Sequence, residues 1–242
     1  MRFAICNLRF VFLVALIGAM PSLVCAEPTS RPAVAKASVT KWFSDLADSD
    51  TALRDAARGN LLMLNRSDLP TLRDVVDESR PLMPSQAAVL HDIVAHVFLT
   101  GEEYKPAQNR PAFMGIQWPQ ELAGELDVST GVPVGTLLPG FCAYTKLVEG
   151  DLILRVLDYP NMKFQLLRNF TTAIGSEQAG KTLRFEVMRQ GRLIEIPITL
   201  DARPQAVMDD TIQREEFLGR RQQAAEDYWR KNFASLVEGG VS

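Results

Sequence analysis

Cysteine and histidine are scarce in this chain of 242 residues, which contains three cysteines and two histidines. Cys6 and Cys25 fall in an apolar N-terminal segment, so Cys142 is the only cysteine in the rest of the sequence. A single cysteine cannot form an internal disulfide, which leaves packing as the source of stability. With 47% hydrophobic residues, the chain is long enough to bury one or two substantial cores.

The sequence also lacks the common catalytic signatures. It has no Gly-x-Ser-x-Gly elbow, no glycine-rich phosphate loop and no His-Glu-x-x-His helix. His91 and His96 are five residues apart, which places them on different faces of one helix and disfavours a shared metal. A nucleophilic Cys142 paired with a distant histidine is the enzyme alternative, but its apolar neighbours favour a buried thiol. We therefore predict no enzyme activity, no metal and no cofactor.

A long apolar run occurs only at the N-terminus. Arg2 and Arg9 precede residues 10–20, an apolar stretch too short to span a bilayer comfortably. Small residues before Glu27 favour cleavage there, and a lipoprotein signal at Cys25 is the alternative. We expect residues 1–26 to be a signal peptide, the protein to be exported (periplasmic or secreted), and no membrane span to remain after signal removal.

Excess charge is small as well. The net charge is −3, and loss of the two arginines of the signal peptide would make it −5. Nothing in this charge balance argues for nucleic acid or for an anionic membrane surface as a partner. We therefore expect no nucleic-acid partner.

Residues 27–37 are rich in proline and small residues and predict a disordered lead-in, whereas residues 38–100 show helical periodicity. Four apolar stripes begin near Val39, Leu53, Leu69 and Leu90. Four short helices with short links favour antiparallel helix pairs. The residue pattern along these helices resembles about two HEAT-type repeats, which implies a helical layer that packs on its neighbours.

Residues 101–111 predict a linker, because glycine, proline and polar residues break both periodicities there. At the other end, residues 205–242 predict a C-terminal helix and tail. The apolar positions of this helix are Leu218, Ala225, Trp229, Phe233 and Leu236. Two interpretations stay open: the helix packs back on the helical layer or linker, or it docks a partner.

Residues 112–204 are rich in strands and turns. Apolar residues from Val132 to Leu137 predict a short strand, and Leu152–Val156 predict another after the turn Glu149-Gly150-Asp151. A helix is predicted over residues 164–174. Alternating residues on either side of Gln190-Gly191 predict a terminal hairpin.

The order of these pieces resembles a bacterial PDZ domain of the type attached to high-temperature-requirement and tail-specific proteases. Phe113-Met114-Gly115-Ile116 stands where that family has its carboxylate-binding loop. The run from Leu138-Pro139-Gly140 to Asp151 resembles its turn, short helix and strand entry. One departure is Phe141-Cys142, where small residues or proline are usual; another is a slightly long segment over residues 158–180. The fold class is thus α+β and multi-domain: a helical repeat layer, a PDZ-like sandwich or partly open barrel with helices, and a C-terminal helix.

The resemblance implies a groove that binds peptides by strand addition, with backbone N–H groups of the loop holding a terminal carboxylate. Gly115 would let the loop approach that carboxylate. The implied peptide-binding residues are Phe113, Met114, Gly115, Ile116, Gln117, Leu167, Phe170, Thr171 and Ile174. The alternative for Ile116, Leu167 and Ile174 is a purely structural place in the core.

The sequence therefore predicts an exported, non-catalytic adaptor whose partners are protein or peptide C-termini with apolar ends. Two alternatives remain. One is a structural assembly protein whose groove is occluded, for example by its own C-terminal helix. The other is a regulatory subunit with a protease as its partner, since too few residues flank the PDZ-like region to form a protease domain.

Overall fold

Helices and strands both contribute to the chain, whose computed structural model describes residues 33–101, 110–119, 126–204 and 211–238. The chain is therefore of mixed helix and sheet, in agreement with the predicted α+β class. The predicted signal peptide, most of the lead-in, most of the linker and the last residues of the tail lie outside the described residues.

Each of the four predicted apolar stripes lies on a helix. The bounds are α1 Lys36–Asp45, α2 Thr51–Leu62, α3 Leu69–Glu78 and α4 Pro84–Leu99. The side chain of Asp50 accepts a hydrogen bond from the N–H of Ala52, which caps α2. α1 begins two residues before the predicted boundary, inside the predicted lead-in. No helix-breaking residue follows Pro32 there, so the N–H of Ser38 already donates to the carbonyl of Ala35.

The described residues of the strand-rich part form eight strands, one α-helix and a short 3-10 helix, Cys142–Thr145. The strands are β1 Ala112–Phe113, β2 Ile116–Gln117, β3 Val132–Pro133, β4 Thr136–Leu137, β5 Leu152–Val156, β6 Thr182–Arg189, β7 Arg192–Thr199 and β8 Asp201–Ala202. β3, β5, β6 and β7 form an antiparallel sheet in that order, β1 pairs with β8, and β2 pairs with β4. The single strand expected from Val132 to Leu137 is thus two strands, divided at Val134 and Gly135.

The helix of this part, α5, covers Leu167–Gly175 rather than residues 164–174. The boundary prediction was wrong because a local capping interaction sets the start. Oδ1 of Asn169 accepts a hydrogen bond from the N–H of Leu166, which ends the extended segment and begins the helix. Phe164 remains buried, although it precedes the helix.

The predicted terminal hairpin is confirmed. β6 and β7 pair without interruption from Thr182–Thr199 to Arg189–Arg192. Gln190 and Gly191 both have positive φ, 49° and 78°, as the tight turn between the strands requires. Alternate residues of β6 are buried, so the hairpin contributes one face to the core.

Two clusters of buried apolar residues account for the packing. One joins the side chains of α1 to α4, and the other lies among β1 to β8 and α5. The C-terminal helix α6, Thr211–Asn232, and the short α7, Ala234–Glu238, add Ala225, Phe233 and Leu236 to the first cluster. The C-terminal helices α6 and α7 therefore pack on the helical layer, as one of the two interpretations expected. Among the described residues, no helix is long and apolar enough to cross a membrane.

Candidate functional site

The predicted carboxylate-binding loop connects β1 and β2. Gly115 has a φ of +79°, which a side chain would disfavour. The carbonyl oxygens of the loop point inward: that of Met114 accepts from Ala143 N–H at 3.1 Å, and that of Gly115 accepts from Leu138 N–H at 2.8 Å. Within the described part of the chain, no acceptor is found for the N–H groups of Met114 and Gly115. The loop thus has its carbonyls satisfied and two donors available.

The backbone of Ile116 faces away from its partner strand. Because Leu138 N–H donates to the carbonyl of Gly115, those two residues belong to a hydrogen-bonded position of the antiparallel ladder. The next pair, Ile116 with Leu137, is therefore of the alternate kind, in which N–H and C=O point outward. No other described strand pairs with that edge of β2. Ile116 consequently presents a donor and an acceptor for an added strand.

A cavity of about 300 Å³ lies between β2 and α5. Seven of the nine predicted binding residues line it: Phe113, Met114, Ile116, Gln117, Phe170, Thr171 and Ile174. The other lining residues are Ala112, Trp118, Leu138, Arg203, Arg214 and Leu218. Sequence positions more than fifty residues apart thus meet around one space.

Two of the predicted residues do not line the cavity. Leu167 is fully buried in the core beneath α5. Gly115 has Phe141 packed against it: a Cβ at position 115 would lie 2.2 Å from the Cβ of Phe141. Gly115 contributes its backbone to the loop, and Leu167 supports the helix.

Arg203 is a cavity residue that the sequence analysis missed. Its Cζ lies 6.0 Å from the ring centroid of Phe113, and its Nε is buried without a hydrogen-bond partner in the described residues. Burial lowers the pKa of this guanidinium below its usual range. A partly desolvated cation with an unused donor is a natural partner for an anion. No local signal marks Arg203, because its position depends on the pairing of β8 with β1.

The C-terminal helix contributes Arg214 and Leu218 to the cavity wall. Arg221, one turn further along α6, is buried and donates to the carbonyls of Pro139 at 3.1 Å and Leu99 at 3.5 Å. Its guanidinium also lies 4.7 Å from the ring centroid of Phe141. α6 is therefore attached both to the end of α4 and to the turn beside the loop. The sequence had raised the hypothesis that this helix fills the groove.

Cys142 and the two histidines lie in structural environments. The thiol of Cys142 is 3.6 Å from the carbonyl oxygens of Phe113 and Met114, and burial together with the nearby Asp201 raises its pKa. Nδ1 of His96 accepts the N–H of Gly140 at 3.0 Å. Burial, with the charges of Arg58 and Arg221, lowers the pKa of His96 to about 3.

His91, by contrast, is partly exposed and pairs with Glu226. No hydrogen bond between described residues joins Cys142 to either histidine. No group of three or more potential metal ligands occurs in the described ranges.

No family model matches the chain, and no curated protein sequence matches it either.

Proposed function

We propose that this protein is an exported, non-catalytic adaptor that binds the C-termini of proteins or peptides in a PDZ-like groove. In this proposal, residues 1–26 are a signal peptide and residues 38–100 are a HEAT-like helical layer. Residues 112–204 are the PDZ-like domain, followed by the C-terminal helix. The protein acts in the periplasm or outside the cell.

One observation carries the proposal. The N–H groups of Met114 and Gly115 have no acceptor in the described residues, and they belong to a loop that borders an apolar cavity. Successive free backbone N–H groups favour an anion, since each donor left unpaired away from water costs free energy. A carboxylate at the end of an apolar chain satisfies both the donors and the cavity.

The edge of β2 supports the same mode of binding. A ligand strand that lies antiparallel to β2 can donate to the carbonyl of Ile116 and accept from its N–H, as in strand addition. The side chain of the last ligand residue then enters the apolar space formed by Met114, Leu138 and Ile174. This environment favours an apolar terminal residue.

Arg203 adds the charge that the backbone lacks. Its guanidinium borders the cavity next to Phe113, where the terminal carboxylate would lie beside the loop. A hydrogen bond between ionised groups is about twice as strong as one between neutral groups. We propose that Arg203 and the loop N–H groups together select a free carboxylate over an amide.

A structural protein with an occluded groove is the second candidate, and Leu218 favours it, because this side chain of α6 lines the cavity. The cavity nevertheless has a volume of about 300 Å³ with α6 in place. This supports α6 as a wall of the groove and argues against α6 as its occupant.

Paired tryptophan variants on α5 test the proposal. Thr171 lines the cavity, whereas the neighbouring Thr172 is exposed on the same helix. We expect the unmodified chain to bind at least one of a panel of acetylated hexapeptides ending in alanine, valine, leucine, isoleucine, methionine or phenylalanine, at roughly micromolar strength. Thr171→Trp should fill the groove and weaken binding at least about tenfold, and Thr172→Trp should not.

Calorimetric titration measures both variants, and circular dichroism checks that each remains folded. If no peptide of the panel binds the unmodified chain, the proposed function is wrong. If both variants bind the peptide as tightly as the unmodified chain does, the binding surface lies elsewhere, which favours the occluded groove.

A further inference from the structure

The cavity between β2 and α5 is bounded at one end by two aromatic rings. Trp118 directly follows β2, and Phe170 lies on α5; their ring centroids are 6.4 Å apart with the rings nearly perpendicular. Nε1 of Trp118 donates to the carbonyl of Pro133 at 2.8 Å, which fixes the indole. Phe170 is buried and also packs edge to face on Phe164. The two walls of the cavity are thus joined at this end.

Helix α6 bounds the other end, beside the loop. Leu218 lines the cavity, and Arg221, one turn later, is held by the carbonyl of Pro139. Further along, Phe233 and Leu236 are buried in the core of the helical layer. These attachments all lie C-terminal to the cavity-lining residues Arg214 and Leu218, and they hold α6 against the fold beside the cavity.

Between the two ends, the backbone of β2 can form hydrogen bonds with only a few ligand residues. β2 contains two residues, and only Ile116 directs its N–H and C=O outward. Since a strand advances about 3.4 Å per residue, this edge matches about two ligand residues. The cavity volume of about 300 Å³ is at the lower end of the range for small-molecule sites, roughly 300–1,000 Å³.

We infer that the site reads only the last two residues of its ligand, ending in a free carboxylate. Residues further from the ligand's C-terminus lie beyond Trp118 and Phe170, the last cavity-lining side chains at this end among the described residues. The ligand class is therefore short: the final dipeptide unit of a longer chain, or a free dipeptide. This inference rests on the proposed function and restricts it, because an extended groove would bind more tightly with each residue added to the peptide.

A length series on the full mature chain tests the inference. The probes are N-acetylated peptides of two, three, four and six residues that share the C-terminal pair of the strongest binder of the hexapeptide panel. We expect the dissociation constants, measured by calorimetry, to agree within about threefold across the series. An affinity gain of more than about threefold from two to six residues would overturn the two-residue site and leave C-terminal binding intact. Absence of binding at every length would overturn both proposals.

Trp118→Ala provides a second arm, since it removes the ring that joins the walls. In this variant the six-residue peptide should bind more than about threefold more tightly than the two-residue peptide. Trp42→Ala, in α1, is the matched control. In this variant the dissociation constants should stay independent of peptide length, because Trp42 packs on the core of the helical layer. If the Trp118→Ala protein is folded by circular dichroism and its dissociation constants do not depend on peptide length, Trp118 is not the boundary and the inference fails.

Discussion

Phe141 occupies the space that a side chain at Gly115 would need. A Cβ on residue 115 would lie 2.2 Å from the Cβ of Phe141 and 2.7 Å from its Cγ. The ring of Phe141 in turn meets that of Phe113 edge to face at 5.0 Å and is covered by the guanidinium of Arg221. The backbone of the loop is therefore held from behind by one aromatic side chain.

Two glycine substitutions with nearly the same φ separate this packing from backbone strain. Gly115 and Gly191 have φ values of +79° and +78°, but only Gly115 has atoms nearby that a Cβ would meet. We expect Gly191→Ala to lower the free energy of unfolding by about 1–2 kcal/mol, the cost of a left-handed backbone at alanine. Gly115→Ala should cost about 1–3 kcal/mol more, because it adds overpacking. Urea denaturation measures both; equal losses would show that Phe141 yields without cost.

Removal of the Arg203 charge should affect ligand binding selectively. We expect Arg203→Gln to weaken binding of a peptide with a free carboxylate by about tenfold, or roughly 1.4 kcal/mol. The amidated peptide should bind this variant and the unmodified chain equally. Arg192→Gln is the matched control, because it makes the same charge change at an exposed position of β7. Equal weakening for free and amidated peptides would assign Arg203 a role in packing alone.

His96 should make stability depend on pH. Its folded-state pKa of about 3 lies below the ordinary value of 6.5, so the unfolded chain binds the proton first. The free energy of unfolding should therefore decrease as the pH falls from about 6.5 towards 3, by at most about 1.4 kcal/mol per pH unit from this group. His96→Asn keeps an acceptor for the N–H of Gly140 and should reduce that slope.

His91→Asn, at the exposed histidine, is the control for this measurement. It should leave most of the slope between pH 6.5 and 4 in place. If His91→Asn flattens the pH dependence and His96→Asn does not, the assignment to the buried histidine is wrong.

Cys142 should react slowly with thiol reagents in the folded protein. Burial raises the pKa of its thiol, so little reactive thiolate is present at neutral pH. We expect the labelling rate to increase by orders of magnitude in denaturant. The absorbance of the chromophore that a chromogenic thiol reagent releases on reaction measures this rate. Rapid labelling of the folded chain at neutral pH would support the enzyme alternative.

Local patterns predicted much of the fold. The four helical stripes and the hairpin at Gln190-Gly191 were correctly predicted, because periodicity and turn chemistry act over a few residues. The PDZ resemblance implied the loop at Gly115 and the positions Phe170, Thr171 and Ile174, and these three side chains line the cavity. Where boundaries differed, as at α5, a single side-chain cap decided the start.

The rest of the site depends on contacts distant in sequence. Arg203 reaches the cavity because β8 pairs with β1 across some ninety residues, and no local pattern indicates this register. Leu218 does so because Arg221 binds the carbonyl of Pro139. Phe141 departs from the motif, which has a small residue or proline at this position. The structure gives the reason: Phe141 fills the space that a side chain at position 115 would occupy.

The central claim is that the loop recognises a free C-terminal carboxylate, and a comparison of free and amidated forms of one peptide tests it most directly. The best-binding hexapeptide of the panel should lose roughly ten- to a hundredfold in affinity on amidation, because hydrogen bonds to a charged group contribute about 1.5–3 kcal/mol. Calorimetric titration of the chain without residues 1–26 gives both dissociation constants. Equal affinities for the two forms, with the protein folded, would contradict recognition of a terminal carboxylate.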